Sequence, residues 1–495
     1  MGIVIRQSLK QSAAAYIGVA MGMLNVLVVY PLAFTREELG VLQFLRETAL
    51  MVAPFVFLGG NALAIRFFPQ FRDEQRGHNG FLFFLLAMVA TGFALFMGVW
   101  VSFRPQVWSW YTDEGQLVQQ FLPLLPPLVL LAALAQMLTQ YTANFHRIVV
   151  PYALNELSVK LVVPALALGY FAQKLAFEQV VWGVLWMHLL IVVGLVMYLW
   201  QLGQLHLRPS RRLLTWQRLR QMAEFASFGL LGGLGGRLAS RIDIFMLTTL
   251  ATPTATGVYY LSSVVGNVID VPRQALSRIS APIISDAMNA GQREKVADMY
   301  RRTALNQLAA GVCILTGILL SLDDLFALIP NGEKYAAGKV VVWLLGLSNL
   351  INMATGINEE IITYSPYYRF KFYFITALAG FNVLANMWLI PQFEIAGAAL
   401  ATLLSVALYN LLKSGLLWWK MGLLPFSWRM LGLLALGGVL YLLLGWWQPD
   451  WPPLFRLMFR SVLFVCAFVP LMLLGRLAPD VNALLSDWWQ ARRHQ

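Results

Sequence analysis

Ala223–Leu250 reads AEFASFGLLGGLGGRLASRIDIFMLTTL, an apolar run that nevertheless carries Arg237, Arg241 and Asp243. Crossing a bilayer takes roughly 20 mostly apolar residues, so this stretch is long enough to span. An ionised side chain inside a span costs several kcal/mol or more unless it meets a partner or a wet cavity. The stretch therefore predicts a membrane helix and a polar interior for it to face. Outward from it the pattern repeats, giving about fourteen predicted spans. They are Ala13–Phe34, Leu39–Ala64, Phe81–Val101, Phe121–Ala143, Val149–Phe171, Val180–Gln201, Ala223–Leu250, Gly257–Ile284, Thr303–Leu322, Val340–Ile362, Phe372–Ile390, Ile395–Leu417, Met430–Trp447 and Leu457–Leu474.

Composition agrees. Of 495 residues, 59% are hydrophobic and only 12% charged, and the mean hydropathy is +0.65. A soluble domain is nearer one quarter charged, so a water-soluble enzyme is excluded, and so is a disordered chain. Cys313 and Cys466 sit inside apolar runs and offer neither a disulfide framework nor metal-ligand spacing. The first run follows Arg6 and Lys10, but it is long enough to span and lacks a clear cleavage box, so it reads as a retained helix.

The excess of 36 Lys+Arg over 24 Asp+Glu, a net charge of +12, would suit nucleic acid. Its distribution argues otherwise, because the basic residues fall in small groups between apolar runs. With the N-terminus in the cytoplasm, about 23 of them fall on the cytoplasmic side, including Arg6, Lys10, Arg66, Arg147, Arg208, Arg211, Arg212 and Arg218. About seven, among them Arg104, Lys339, Arg456 and Arg460, fall outside. That skew places both termini in the cytoplasm. Trp108/Trp110, Trp418/Trp419, Trp446/Trp447 and Trp488/Trp489 lie near span ends, as amphipathic rings prefer.

A faint repeat aligns Gly40 on Gly257 and Pro69 on Pro282, offsets of about 215 residues. Both copies start and end on the same sides, so they would be parallel repeats; a chance match of loop glycines is the other reading. The simplest arrangement is an all-α polytopic membrane protein of two six-helix lobes, 1–202 and 203–420. A helix pair and cytoplasmic tail, 421–495, would follow.

The intramembrane charges narrow the function. At about 100° per residue, Arg237 and Arg241 share a face, while Asp243 sits roughly 200° from Arg241. The cationic face suits a polyanion such as a phosphate or pyrophosphate head, for which arginine offers permanent planar donors. An internal ion-pair network that only fixes packing is the alternative. Glu156 and Lys160 read as a self-neutralising i, i+4 pair, and Asp270 and Arg273 as an i, i+3 pair. Arg46 beside Glu47 reads equally as a cavity cation or a packing pair. Arg278, Glu359 and Glu360 also fall within or near spans, and His188 reads as a hydrogen-bonded packing histidine. Gly229, Gly232, Gly233, Gly235 and Gly236 permit close packing, and beside Arg237 they would also allow a hinge.

Several motifs now combine: Glu38-Leu39-Gly40-Val41 with Arg66-Phe67-Phe68-Pro69, and Arg241-Ile242-Asp243 with Thr256-Gly257-Val258-Tyr259-Tyr260. Ser280-Ala281-Pro282-Ile283-Ile284-Ser285 and Ile395-Ala396-Gly397-Ala398-Ala399-Leu400-Ala401-Thr402 follow. In this order they resemble the polysaccharide-transport (Wzx-like) branch of the multidrug/oligosaccharidyl-lipid/polysaccharide flippase superfamily, over nearly the whole chain. The resemblance implies fourteen helices in two lobes around a central cavity. It implies alternating access on undecaprenyl-pyrophosphate-linked sugars in the bacterial cytoplasmic membrane. It also implies a pyrophosphate site at Arg46, Arg237, Arg241 and Arg273.

Related lipid II flippases carry a sodium site, which carries over to Asp243, Asn382, Asn386, the carbonyl of Ala398, and Thr402. Asn386 departs from it, since an acidic residue can stand there in those relatives. Interhelical hydrogen bonding among the Asn and Thr is the alternative. The first span offers only Asn25 where lipid II flippases place arginines. That favours another lipid-linked oligosaccharide, such as an O-antigen or exopolysaccharide unit.

The expected protein is thus no enzyme. It is a flippase, coupled to Na+ or H+, acting as a monomer among membrane lipids, with glycan-polymerising machinery as its partner and no nucleic acid. A cation-coupled multidrug exporter of the same superfamily is the alternative, though acidic, aromatic-lined cavities suit organic cations better. A membrane glycan polymerase or ligase fits less well, because no HExxH, P-loop, GxSxG or Cys–His arrangement is present.

Overall fold

A computed structural model describes residues 20–111, 115–210, 215–447, 449–480 and 482. Side chains of residues 228–240 and 278 fall outside the described set, as do the whole of Arg6, Lys10, Arg211, Arg212, Trp488 and Trp489. The described chain is all-helical: α1 (Ala20–Ala33), α2 (Arg36–Val56), α3 (Gly60–Phe71), α4 (Phe81–Ser109), α5 (Gln116–Ala143), α6 (Val149–Phe171), α7 (Phe177–Gln201), α8 (Trp216–Leu250) and α9 (Pro253–Asn267) come first. Then follow α10 (Val271–Asn289), α11 (Arg293–Leu320), α12 (Leu322–Leu328), α13 (Lys339–Ala354), α14 (Asn358–Tyr364), α15 (Tyr368–Met421), α16 (Trp428–Gly445) and α17 (Pro453–Leu474). Among the described residues, helix lies on every segment predicted to span. By length and composition ten helices among the described residues qualify as crossings, counting the long α15 once.

Side chains such as Leu190, Leu411, Leu442 and Leu474 are two-thirds or more exposed. Surfaces of this kind suit contact with lipid and not with water.

Contacts divide the chain into two compact units, Met1–Tyr260 and Leu261–Gln495. In the first unit, α2 begins with a capping box formed by Thr35 and Glu38. Thr35 Oγ1 accepts from the Glu38 N–H at 3.2 Å and Glu38 Oε2 accepts from the Thr35 N–H at 2.8 Å. The other oxygen of Glu38 accepts from the Tyr170 hydroxyl at 2.7 Å, tying the start of α2 to α6. Leu39–Ala64, expected as one span, breaks where Leu58 and Gly59 take φ of 50° and 72°, and α3 starts afresh. Helix α8 runs unbroken through its glycines.

Between α3 and α4, Gly77, His78, Asn79 and Gly80 all take positive φ, one short left-handed turn. His78 is fully buried there. Its Nδ1 accepts from the Asp73 N–H at 3.3 Å, so Nε2 carries the proton and donates to Gln204 Oε1 at 2.5 Å. The strand of loop after α7 lies against this turn: a methyl on Gly80 would sit 2.6 Å from the Ser210 nitrogen.

In the second unit one core joins α11, α13, α16 and α17 through Leu308, Val312, Leu350, Leu433, Phe464 and Phe468. A second gathers Ile284, Val296, Tyr300, Ile361 and Leu417 around α14. The buried carboxylate of Asp324 on α12 takes Arg456 and, at 3.9 Å, Arg460, both from α17. Arg460 also donates to the Leu320 carbonyl at 3.1 Å. These bonds hold the last helix to the unit. Helix α15 contains a reversal at Glu394 (φ 46°, ψ −119°), inside the gap between the predicted spans Phe372–Ile390 and Ile395–Leu417. Gly397 then packs on the Leu389 backbone with no room for a side chain.

Candidate functional site

The first unit holds a cavity of about 600 Å³ walled by α2, α5, α6, α7 and α8. Arg46 of α2 and Arg241 of α8 both line it. They meet through one carboxylate, that of Glu47: Arg46 Nη1 lies 3.3 Å from its Oε1, and Arg241 Nη1 is paired with its Oε2. Arg46 also donates to Gln43 at 3.4 Å. The glutamate is the more deeply placed member, 11% exposed against 24% and 31% for the arginines. The two readings left open for Arg46 are therefore both met, since it lines the cavity and is ion-paired.

The wall formed by α5 and α6 is polar for a local reason. On α5, Gln136, Thr139 and Gln140 fall at i, i+3 and i+4, one face of an otherwise apolar helix. On α6, a π-helical turn at Ala153–Leu157 brings Asn155 and Glu156 to the cavity. Asn155 donates to Thr139 at 3.0 Å and to the Pro151 carbonyl at 2.8 Å. Glu156 is held by Lys160 at 3.0 Å, the self-neutralising pair expected from their spacing. His188 on α7 lines the cavity too, with Nδ1 2.8 Å from the Val184 carbonyl oxygen. Among the described residues, Gln136 Oε1 is buried without a hydrogen-bond partner. An unsatisfied acceptor in a roomy polar cavity is a natural anchor for water or ligand.

Among the described residues, the cations Arg46, Arg241 and Lys160 outnumber the carboxylates Glu47 and Glu156 with which they pair. A net positive charge inside a membrane segment favours an anionic occupant. Arginine forks suit the oxygens of a phosphate or diphosphate.

The other expected residues divide. The side chain of Arg237 lies outside the described residues. Arg273 belongs to the second unit and grips Asp270 with two bonds, Nε–Oδ1 at 2.5 Å and Nη2–Oδ2 at 2.9 Å, as the i, i+3 spacing indicated. Gln274 adds a third at 3.0 Å. Asp243 is buried in the first unit, where its Oδ2 accepts from the Tyr259 hydroxyl at 2.9 Å. Asn382 and Asn386 are buried in the second unit, joined within α15 at 3.0 Å. Ala398 is buried and Thr402 half-buried beyond the reversal. Neither unit alone therefore contains the whole cation set. Among the described residues no three His, Cys, Asp or Glu side chains cluster as a metal site.

Sequence reasoning missed the bridging role of Glu47 and the polar face of α5. The spacing of Gln136, Thr139 and Gln140 was a signal for the second. The first is a tertiary meeting of α2 with α8 and leaves no local trace.

No protein-family model matches the chain. Among curated proteins, the probable low-salt glycan biosynthesis flippase Agl15 of Haloferax volcanii is 21% identical over 226 residues. That is 45% of this chain and 47% of the relative, so the match spans about half the length of that protein. Among solved structures, the lipid II flippase MurJ in an inward closed conformation superposes with a TM-score of 0.73 at 10% identity, covering 93% of this chain and 98% of that one. An inward-facing multidrug resistance MATE family transporter of the MOP superfamily superposes at 0.60 and 11% identity, covering 84% and 96%. The fold of this chain is the one the MurJ and MATE structures share, and none of the three proteins is described as an enzyme.

Proposed function

We propose that this chain is a flippase for a lipid-linked oligosaccharide and binds the diphosphate that joins glycan to lipid. The observation that carries the reading is the pair Arg46 and Arg241 on one polar cavity of about 600 Å³. A diphosphate is a compact polyanion with oxygens enough for two guanidinium forks. The names of two relatives, a glycan biosynthesis flippase and a lipid II flippase, support the same substrate class.

The finer reading is an undecaprenyl-pyrophosphate-linked O-antigen or exopolysaccharide unit. It would move from the cytoplasmic to the outer leaflet of a bacterial inner membrane by alternating access, with both termini cytoplasmic. Coupling to Na+ or H+ through Asp243 belongs to this proposal. So do a monomeric state and hand-over to glycan-polymerising machinery. No bond is made or broken. The protein must instead bind the head, exclude lipid from it, and release it on the other side.

Native mass spectrometry of the gently purified protein tests the reading. A co-purifying polyprenyl-diphosphate glycan, lost in Arg46→Gln/Arg241→Gln, is expected. Amphiphilic cations in its place, unaffected by that double substitution, would transfer the assignment to multidrug export, which the MATE-like fold equally accommodates.

A further inference from the structure

We propose that Glu47 is a built-in counter-ion that the ligand must displace, and that it selects a diphosphate over singly charged phosphodiesters. This rests on the diphosphate reading above. Glu47 gives one carboxylate oxygen to each cavity arginine, Oε1 to Arg46 at 3.3 Å and Oε2 to Arg241. It thereby performs internally what a bridging diphosphate would perform from outside. Its side chain is less exposed than that of either arginine. Both arginines line the cavity, where a second anion can approach them.

A chain that works inside a membrane is surrounded by phospholipid headgroups, whose phosphodiesters each carry one negative charge. With bare arginines those headgroups would fill the cavity. Glu47 sets a threshold against them. A phosphodiester offers no more charge than the carboxylate already in place and gains little by replacing it, whereas a diphosphate carries more charge and spans both forks. Discrimination of this kind comes from penalising the wrong ligand as much as from attracting the right one. Nearby, Glu156 is held by Lys160 and so does not take over as counter-ion.

The test uses the full-length purified protein in detergent, with inorganic pyrophosphate and dimethyl phosphate as probes, read by calorimetry. The wild type is expected to bind pyrophosphate and give no measurable heat with dimethyl phosphate. Glu47→Gln should bind pyrophosphate about tenfold more tightly, which is about 1.4 kcal/mol, and should now bind dimethyl phosphate as well. Glu47→Asp, one methylene shorter and still charged, should fall between them, and keeps the test usable if the glutamine variant does not fold.

If both Glu47 variants bind pyrophosphate no better than wild type while Arg241→Gln loses it, the counter-ion role is wrong and the diphosphate site stands. If the wild type and both Glu47 variants all fail to bind pyrophosphate, the diphosphate site itself falls and takes this inference with it.

Discussion

Gly40 of α2 and Gly257 of α9 pack against each other reciprocally. A methyl on Gly40 would strike the carbonyl of Pro253 and lie 3.1 Å from the Gly257 nitrogen. A methyl on Gly257 would strike the carbonyl of Arg36 and lie 3.2 Å from the Gly40 nitrogen. Each glycine thus faces the carbonyl four residues before the other, as two equivalent helices meeting across a local two-fold axis would. These are the same two glycines that the sequence repeat aligns. The contact gives that alignment a physical reason, since both positions require backbone-to-backbone approach.

Gly40→Ala and Gly257→Ala should therefore destabilise the protein to a similar extent, by about 1–3 kcal/mol each. Thermal melts in detergent would show it as a drop of several degrees. Gly98→Ala, where an added methyl meets nothing within 4 Å, should be neutral or slightly stabilising. Unequal effects at the two positions would contradict the reciprocal packing.

Glu394 occupies the first central position of a type II′ geometry, φ 46° and ψ −119°, where glycine is preferred. Glu394→Gly should raise the melting temperature, by up to about 1 kcal/mol of stability, because it relieves the backbone of a positive φ. No gain on melting would mean that Glu394 makes a compensating interaction.

Arg273, which the resemblance places at the diphosphate, holds Asp270 with its fork. Arg273→Gln should cost about 3 kcal/mol, the low end for breaking a buried pair, because Asp270 keeps only the Gln274 amide. Asp270→Asn/Arg273→Gln together should restore most of that loss. The co-purifying lipid should survive in the double variant. Its disappearance there, with stability intact, would return Arg273 to the binding site.

For Asp243, sodium should raise the melting temperature of the wild type and leave Asp243→Asn unchanged, if a sodium ion is the coupling partner. Tyr259→Phe removes only the hydroxyl that donates to Asp243 and should preserve the sodium response. A wild type indifferent to sodium would direct the search to protons.

Burial, and then the neighbouring His78, hold His206 below its ordinary imidazole range. An unfolded imidazole titrates near ~6.5. Above that value both states are neutral and the contact contributes in full. As pH falls through and below it, the unfolded chain takes up a proton that the folded chain does not, so stability declines. The loss of melting temperature from about pH 7.5 to about pH 5.5 should be shallower in His206→Gln.

What could be read from the sequence was what repeats locally. Apolar runs gave the helices, and Asp270/Arg273 and Glu156/Lys160 their pairs, because each pair depends on neighbours three or four residues away. The Ile390/Ile395 boundary was legible through its change of pattern. The breaks at Leu58–Gly59 and before α14, where Gly356 takes φ of 56°, were not, since hydropathy runs through them uninterrupted. Nor was the bridge at Glu47, whose partner Arg241 arrives from a distant helix. An isolated Arg-Glu dipeptide says nothing of the third group that shares it.

The left-handed turn at Gly77–Gly80 also bears on the order in which the chain can mature. Positive φ is uncommon for residues other than glycine, and of the two partners that hold the His78 ring, Gln204 lies 126 residues further along. During synthesis that bond cannot form until the segment after α7 has emerged, so the turn between α3 and α4 gains its distant partner only after α4, α5, α6 and α7 have been made.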